Sequence, residues 1–103
     1  MLSKILGVAL TAIAINASAQ TWPQRPVTIV VPYGAGGNSD LIARLAAAHL
    51  APALGQPVVV ENRPGAAGLV AAKYVADSPA DGYTLLMGTA SQLVTAPFIN
   101  PNI

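Results

Sequence analysis

Three short, mainly apolar runs, each followed by proline or glycine, constrain this chain more than any other feature. Val27-Thr28-Ile29-Val30-Val31 ends at Pro32, and Val58-Val59-Val60 runs into Glu61-Asn62-Arg63-Pro64-Gly65. Tyr83-Thr84-Leu85-Leu86-Met87 ends at Gly88. Unbroken apolar runs of this length read as strands buried on both faces. They start near residues 27, 58 and 83, with alanine-rich stretches between them. Strands that alternate with helices form βαβ units, which cross over right-handed into a parallel sheet. The fold class expected is therefore α/β.

The intervals read as helices. Asn38 or Ser39 is the expected N-cap of the first, with Asp40 in the opening turn facing the positive helix end. Leu41, Ile42, Leu45, Ala46, His49 and Leu50 follow at helical spacing. Pro52 should kink or end the helix, because it lacks an N–H and clashes one turn back. Gly55 is a natural stop. Ala66 to Ala76 reads as the second helix, and Ser78-Pro79-Ala80-Asp81-Gly82 as a turn. Gln92 to Phe98 has the spacing to start a third, although Pro97 and Pro101 oppose it.

The first residues do not belong to this pattern. Lys4 precedes Ile5 to Ile15, an apolar run interrupted only by Gly7 and Thr11, and Ala17-Ser18-Ala19 is an A-x-A cleavage site. Residues 1–19 are read as a secretory signal peptide, with maturation at Gln20. The rival reading, a transmembrane anchor, needs about 20 apolar residues, and this run is shorter. Beyond Ala19, Arg25, Arg44, Arg63 and Lys73 balance Asp40, Glu61, Asp77 and Asp81. No basic patch is present, which argues against nucleic acid as a partner. Cysteine is absent, which removes disulfides, thiol chemistry and a lipid-anchoring cysteine.

Ligands of an open parallel sheet bind outside the carboxyl ends of the strands. Tyr33 to Asp40, Glu61 to Gly68 and Gly88 to Gln92 leave those ends. The first loop holds Gly34, Gly36 and Gly37 ahead of a helix start, an arrangement suited to carboxylate or phosphate. A plain strand-to-helix turn is the alternative. Gly34-x-Gly36-x-x-Ser39 lacks the third glycine of the dinucleotide fingerprint, although Glu61 stands about where a ribose-binding acid would. The phosphate-loop and G-x-S-x-G patterns are missing. The single histidine, His49, falls in the body of the first helix, where packing or surface exposure suits it better than catalysis. One histidine without cysteine does not make the usual zinc site. Thr89 and Ser91 can hold a ligand oxygen or cap the third helix. Trp22 and Tyr33 suit packing, although Tyr33 stands at the mouth of the site.

Three segments taken together carry a resemblance. They are Arg25-Pro26-Val27-Thr28-Ile29-Val30-Val31-Pro32-Tyr33 with Gly34-Ala35-Gly36-Gly37-Asn38-Ser39-Asp40, then Leu54 to Ala66, then Asp81-Gly82-Tyr83-Thr84-Leu85-Leu86-Met87-Gly88-Thr89. In order and spacing they resemble the substrate-binding proteins of tripartite tricarboxylate transporters, the Bug-type receptors. The resemblance implies a periplasmic receptor of two α/β domains that close on a small carboxylate. Ligand-binding residues carried over from it are Tyr33, Gly34, Ala35, Gly36, Gly37, Asn38, Ser39 and Asp40, with Thr89, Ala90, Ser91 and Gln92. It implies no cofactor and no metal, a monomer, and membrane transporter subunits as partners. Such receptors are longer. Residues 20–103 are therefore expected to be an incomplete N-terminal part of the first ligand-binding domain, with parallel βαβαβ units too few to stand alone. Other readings are the N-terminal part of a secreted α/β enzyme or a nonfunctional fragment. No visible nucleophile, base or metal set favours the enzyme.

Overall fold

The computed structural model describes residues 21–102. Its elements run β1 (Val27–Val31), α1 (Asn38–Leu54), β2 (Val58–Asn62), a 3-10 turn (Ala66–Gly68), α2 (Leu69–Asp77) and β3 (Thr84–Leu86). A π turn (Ser91–Thr95) and a short α3 (Ala96–Ile99) follow. The three strands form one parallel sheet in the order β2-β1-β3. The α/β reading and the parallel sheet are borne out.

The central strand is buried almost completely, whereas its neighbours are not. Ile29 and Val31 pack with Ala43 and Ala47 of α1, and Val58, Val60 and Met87 join them. Side chains alternate along a strand, so Val30 points to the other face. It is fully buried there, and α2, with the buried Ala71, contacts both β1 and β3. The expectation that all three strands are covered on both faces fails at Val59, 49% exposed, and Leu85, 39% exposed. Both lie on edge strands, and each helix spans only the central strand and one neighbour.

The helices also correct the sequence reading. Gly37 caps α1 without a side-chain bond, in place of Asn38 or Ser39. Pro52 stands inside α1, which ends two residues later at Leu54, near the proline as expected, with Gly55 closing it at φ 72°. The proline forgoes one bond to the carbonyl of Ala48, and both residues are exposed, where water can serve that carbonyl. Leu41, Ile42 and Leu45 are exposed, while Asp40, Ala43 and Ala47 form the buried face. Small side chains let the helix approach the sheet closely. The second helix starts at Leu69 rather than Ala66, because Ala66 and Ala67 have φ of 49° and 55°. His49 is exposed, with Nδ1 2.9 Å from the Leu45 carbonyl.

The segment before β1 is pinned to the start of β3. Arg25 lies 3.9 Å over the Tyr83 ring and pairs with Asp81 at 3.1 Å. The Gln24 N–H donates to the Tyr83 hydroxyl at 2.8 Å, and Trp22 packs beside that ring. The signal-peptide reading and its cleavage point lie outside the described residues.

Candidate functional site

Because the sheet is parallel, the loops after β1, β2 and β3 leave from one edge. The connection from β1 leads to one side of the sheet, and that from β2 crosses to the other. The carboxyl end of β1 is thus a topological switch point, where such sheets bind ligands. Two buried hydrogen-bonded clusters build it.

The first cluster centres on Asp40, only 4% exposed. One carboxylate oxygen accepts from the Gly36 N–H at 3.0 Å and from Arg44 Nε at 2.9 Å. The other accepts from Asn62 Nδ2 at 3.0 Å, and the same amide donates to the Tyr33 carbonyl at 3.0 Å. Asp40 sits at the third position of α1 and reaches back over the glycine loop, a variant of the capping box. Arg44, then the Gly36 N–H and Asn62, hold its carboxyl down to about 2. The carboxylate is therefore spent inside the protein and fixes the loop.

The second cluster centres on Gln92, equally buried. Its Nε2 donates to the Tyr33 hydroxyl at 2.8 Å and to the Ala67 carbonyl at 3.1 Å. Its Oε1 accepts from the Thr89 N–H at 2.9 Å and the Thr89 hydroxyl at 2.8 Å. With that proton committed, the Tyr33 hydroxyl donates to Thr89 Oγ1 at 3.1 Å. Tyr33, Thr89 and Gln92 thus close a ring of hydrogen bonds in which the Gln92 amide has its full set of partners. Bonds to Thr89, Ser91 and Gln92 lower the Tyr33 phenol below its usual range.

The expected binding residues come together, with different parts to play. Gly34, Ala35, Gly36, Gly37 and Asn38 are exposed, and Ser39 is half-buried. The first intrahelical bond of α1 runs from the Leu41 N–H to the Gly37 carbonyl. It leaves the N–H groups of Asn38, Ser39 and Asp40 without an intrahelical acceptor. Ala90 and Ser91 are exposed on the opposite loop. Three residues of the Glu61 to Gly68 segment join or flank these clusters, outside the expected binding set. Asn62 is one, although a polar residue closing a β-branched run at a carboxyl strand end is a usable signal. Ala66 and Ala67 are the others. They sit with Gly65 and Gly68 in four successive residues of positive φ, and no simple pattern announces a left-handed turn carried by alanine.

Glu61, considered as a ribose-binding acid, instead pairs with Arg63 at 3.0 Å. Arg63 also stacks 3.6 Å over the Tyr74 ring. A groove of about 450 Å³ beside α1 and β2 contains Ala47, Ala51 and Val58 and none of the expected binding residues.

Residues 42–103 match the tripartite tricarboxylate transporter family receptor, and the chain belongs to that family. Among curated relatives, a UPF0065 protein of Bordetella pertussis is 45% identical over 103 residues, covering 100% of this chain and 32% of its own. Protein BugT of the same organism is 48% identical over 84 residues, covering 82% and 26%. The chain therefore spans about a third of the length of these relatives. A solved periplasmic transporter superposes with a TM-score of 0.77 at 38% identity, over 81% of this chain and 28% of that one. MatC from Rhodopseudomonas palustris with bound malate gives 0.62 at 49%, over 63% and 22%. The family, with its α/β periplasmic-binding fold, is what the sequence resemblance implied.

Proposed function

We propose that this chain supplies one wall of an extracytoplasmic receptor that captures a small carboxylate for a tripartite transporter in the membrane. One observation carries the reading. At the switch point an exposed glycine loop leads into the start of α1, whose first N–H groups lack intrahelical acceptors, while the nearby acid has its charge balanced by Arg44 and its oxygens occupied by the Gly36 N–H and Asn62. Neutral donors with no free negative charge suit a carboxylate oxygen. The solved relative MatC, with bound malate, supports the same ligand class. Contacts come from Gly34 to Ser39 and from Thr89 to Ser91, with Tyr33 as the floor between them. The receptor acts by binding, not catalysis. It works in the periplasm, as a monomer, after removal of residues 1–19.

The test is calorimetry on a complete receptor in which residues 21–102 replace the matching segment of the Bordetella pertussis relative. Di- and tricarboxylates are titrated, with the corresponding amides as controls. Binding of a carboxylate but not its amide is the expected result. Binding of neither class by the folded receptor would overturn the reading.

A further inference from the structure

Gln92 belongs to a loop expected to touch ligand, yet its side chain has nothing left to offer one. Both amide protons and both acceptor positions are taken by the protein. Its partners come from all three loops: Tyr33 after β1, Ala67 after β2 and Thr89 after β3. The Ala67 carbonyl it holds belongs to the left-handed turn, whose Ala66 and Ala67 occupy a backbone region unfavourable to residues with a Cβ. Such conformations persist only where the surroundings fix them. Across the same contact stands Gly68. A Cβ there would lie 1.9 Å from Gln92 Nε2 and 2.6 Å from its Cδ, in addition to the strain of φ 91°.

We infer that Gln92 is a positioning residue for the ligand site, acting through Tyr33 and the left-handed turn at residues 65–68, and that the glycine at 68 is required for its amide to enter. The inference rests on the ligand reading above for its consequence but not for its geometry. Gln92 fixes the Tyr33 hydroxyl directly, through its Nε2, and indirectly through Thr89, whose hydroxyl accepts from Tyr33 and donates to Gln92 Oε1. It also holds the turn against relaxing into an ordinary helix start. Removing its Nε2 leaves the half-buried Tyr33 hydroxyl short of a donor and frees the Ala67 carbonyl of the turn.

Two experiments on the complete receptor separate this role from plain stability. In the first, Gln92→Glu keeps shape but replaces the donor by an acceptor. At about pH 7.5 carboxylate affinity should fall at least about tenfold. Near pH 5, protonation of a buried glutamate returns one donor and should restore affinity to within about threefold of the unsubstituted receptor at the same pH. An equal loss at both pH values, or no loss at either, overturns the positioning role. In the second, melting temperatures are measured without ligand for Gly68→Ala, Gln92→Ala and the pair. The collision predicts that Gln92→Ala suppresses part of the Gly68→Ala defect, so the two effects do not add. Strict additivity overturns the contact. This arm needs no ligand. A receptor that binds no carboxylate but shows the coupling refutes the functional reading alone.

Discussion

The Asn62 side-chain amide bridges the Tyr33 carbonyl and the Asp40 carboxylate, 3.0 Å from each. Through it the last residue of β2 fixes both the exit of β1 and the first turn of α1. The same carboxylate orients the Gly36 N–H. The loop is therefore held best while Asp40 is ionised.

This gives an acid-sensitive loop. Asp40 titrates at about 2 in the folded chain against an ordinary value of 3.8. A depressed folded pKa contributes stability that is complete above the unfolded value and is lost as pH falls from about 4 towards 2. In Asp40→Asn this pH dependence should weaken, and the Gly36 amide should exchange faster at neutral pH. Hydrogen exchange and acid unfolding of both forms check this, and identical acid profiles would contradict it.

Gly36 and Thr89 should differ in consequence. Gly36 has φ 91° with open space where a Cβ would stand, so Gly36→Val meets no collision but strains the backbone and projects into the space beside the loop. A left-handed residue with a Cβ costs about 1–2 kcal/mol, and β-branching adds to it. In the complete receptor we expect a carboxylate affinity loss of about tenfold or more. Thr89→Ala leaves the glycine loop intact and removes only a hydroxyl whose proton is already given to Gln92, and should lose less. Titration calorimetry gives the order, and wild-type affinity in Gly36→Val would remove the loop from the site.

The 103-residue polypeptide expressed alone should self-associate. Leu41, Ile42 and Leu45 are all more than half exposed on α1, and Phe98 and Ile99 are 89% and 76% exposed. Several large apolar side chains exposed on neighbouring turns of a helix mark a contact region in soluble proteins. Light scattering at about 10 μM should report oligomers, and Leu41→Gln with Leu45→Gln should reduce them. A monodisperse chain with a cooperative melt that rises with carboxylate would show that these faces need no cover.

Export should remove residues 1–19. N-terminal sequencing of periplasmic material should read Gln-Thr-Trp-Pro, the run that leads into the Trp22 and Tyr83 contact. Mature protein that retains Met1 would exclude cleavage.

The strands and their parallel arrangement were legible because Val27 to Val31 and Val58 to Val60 leave no room for another period. The glycine loop was legible because Gly34, Gly36 and Gly37 sit at the end of a strand. The buried face of α1 was not. Leucine and isoleucine dominate a periodicity reading, yet Ala43 and Ala47 form the contact, since the approach of helix to sheet selects size as well as polarity. Asp40 is placed at the right helix end by the sequence, but as a charge facing the helix dipole and a ligand contact rather than as the anchor of the Gly36 N–H. That difference depends on Asn62, 22 positions away. Gln92 was expected among the ligand contacts because it follows β3. Its fully used amide appears only when Tyr33, Ala67 and Thr89 are brought together.

The 1.9 Å separation between a would-be Cβ at residue 68 and the Gln92 amide also bears on how such a chain can drift over generations. Positions 68 and 92 are not free to vary one at a time. A side chain gained at 68 is tolerable only after 92 has shortened, and a shortened 92 leaves the Ala67 carbonyl and the Tyr33 hydroxyl in want of another donor. Lineages that keep glycine at the first should keep a long amide at the second. Those that have lost one should have lost both, with a different residue filling the gap.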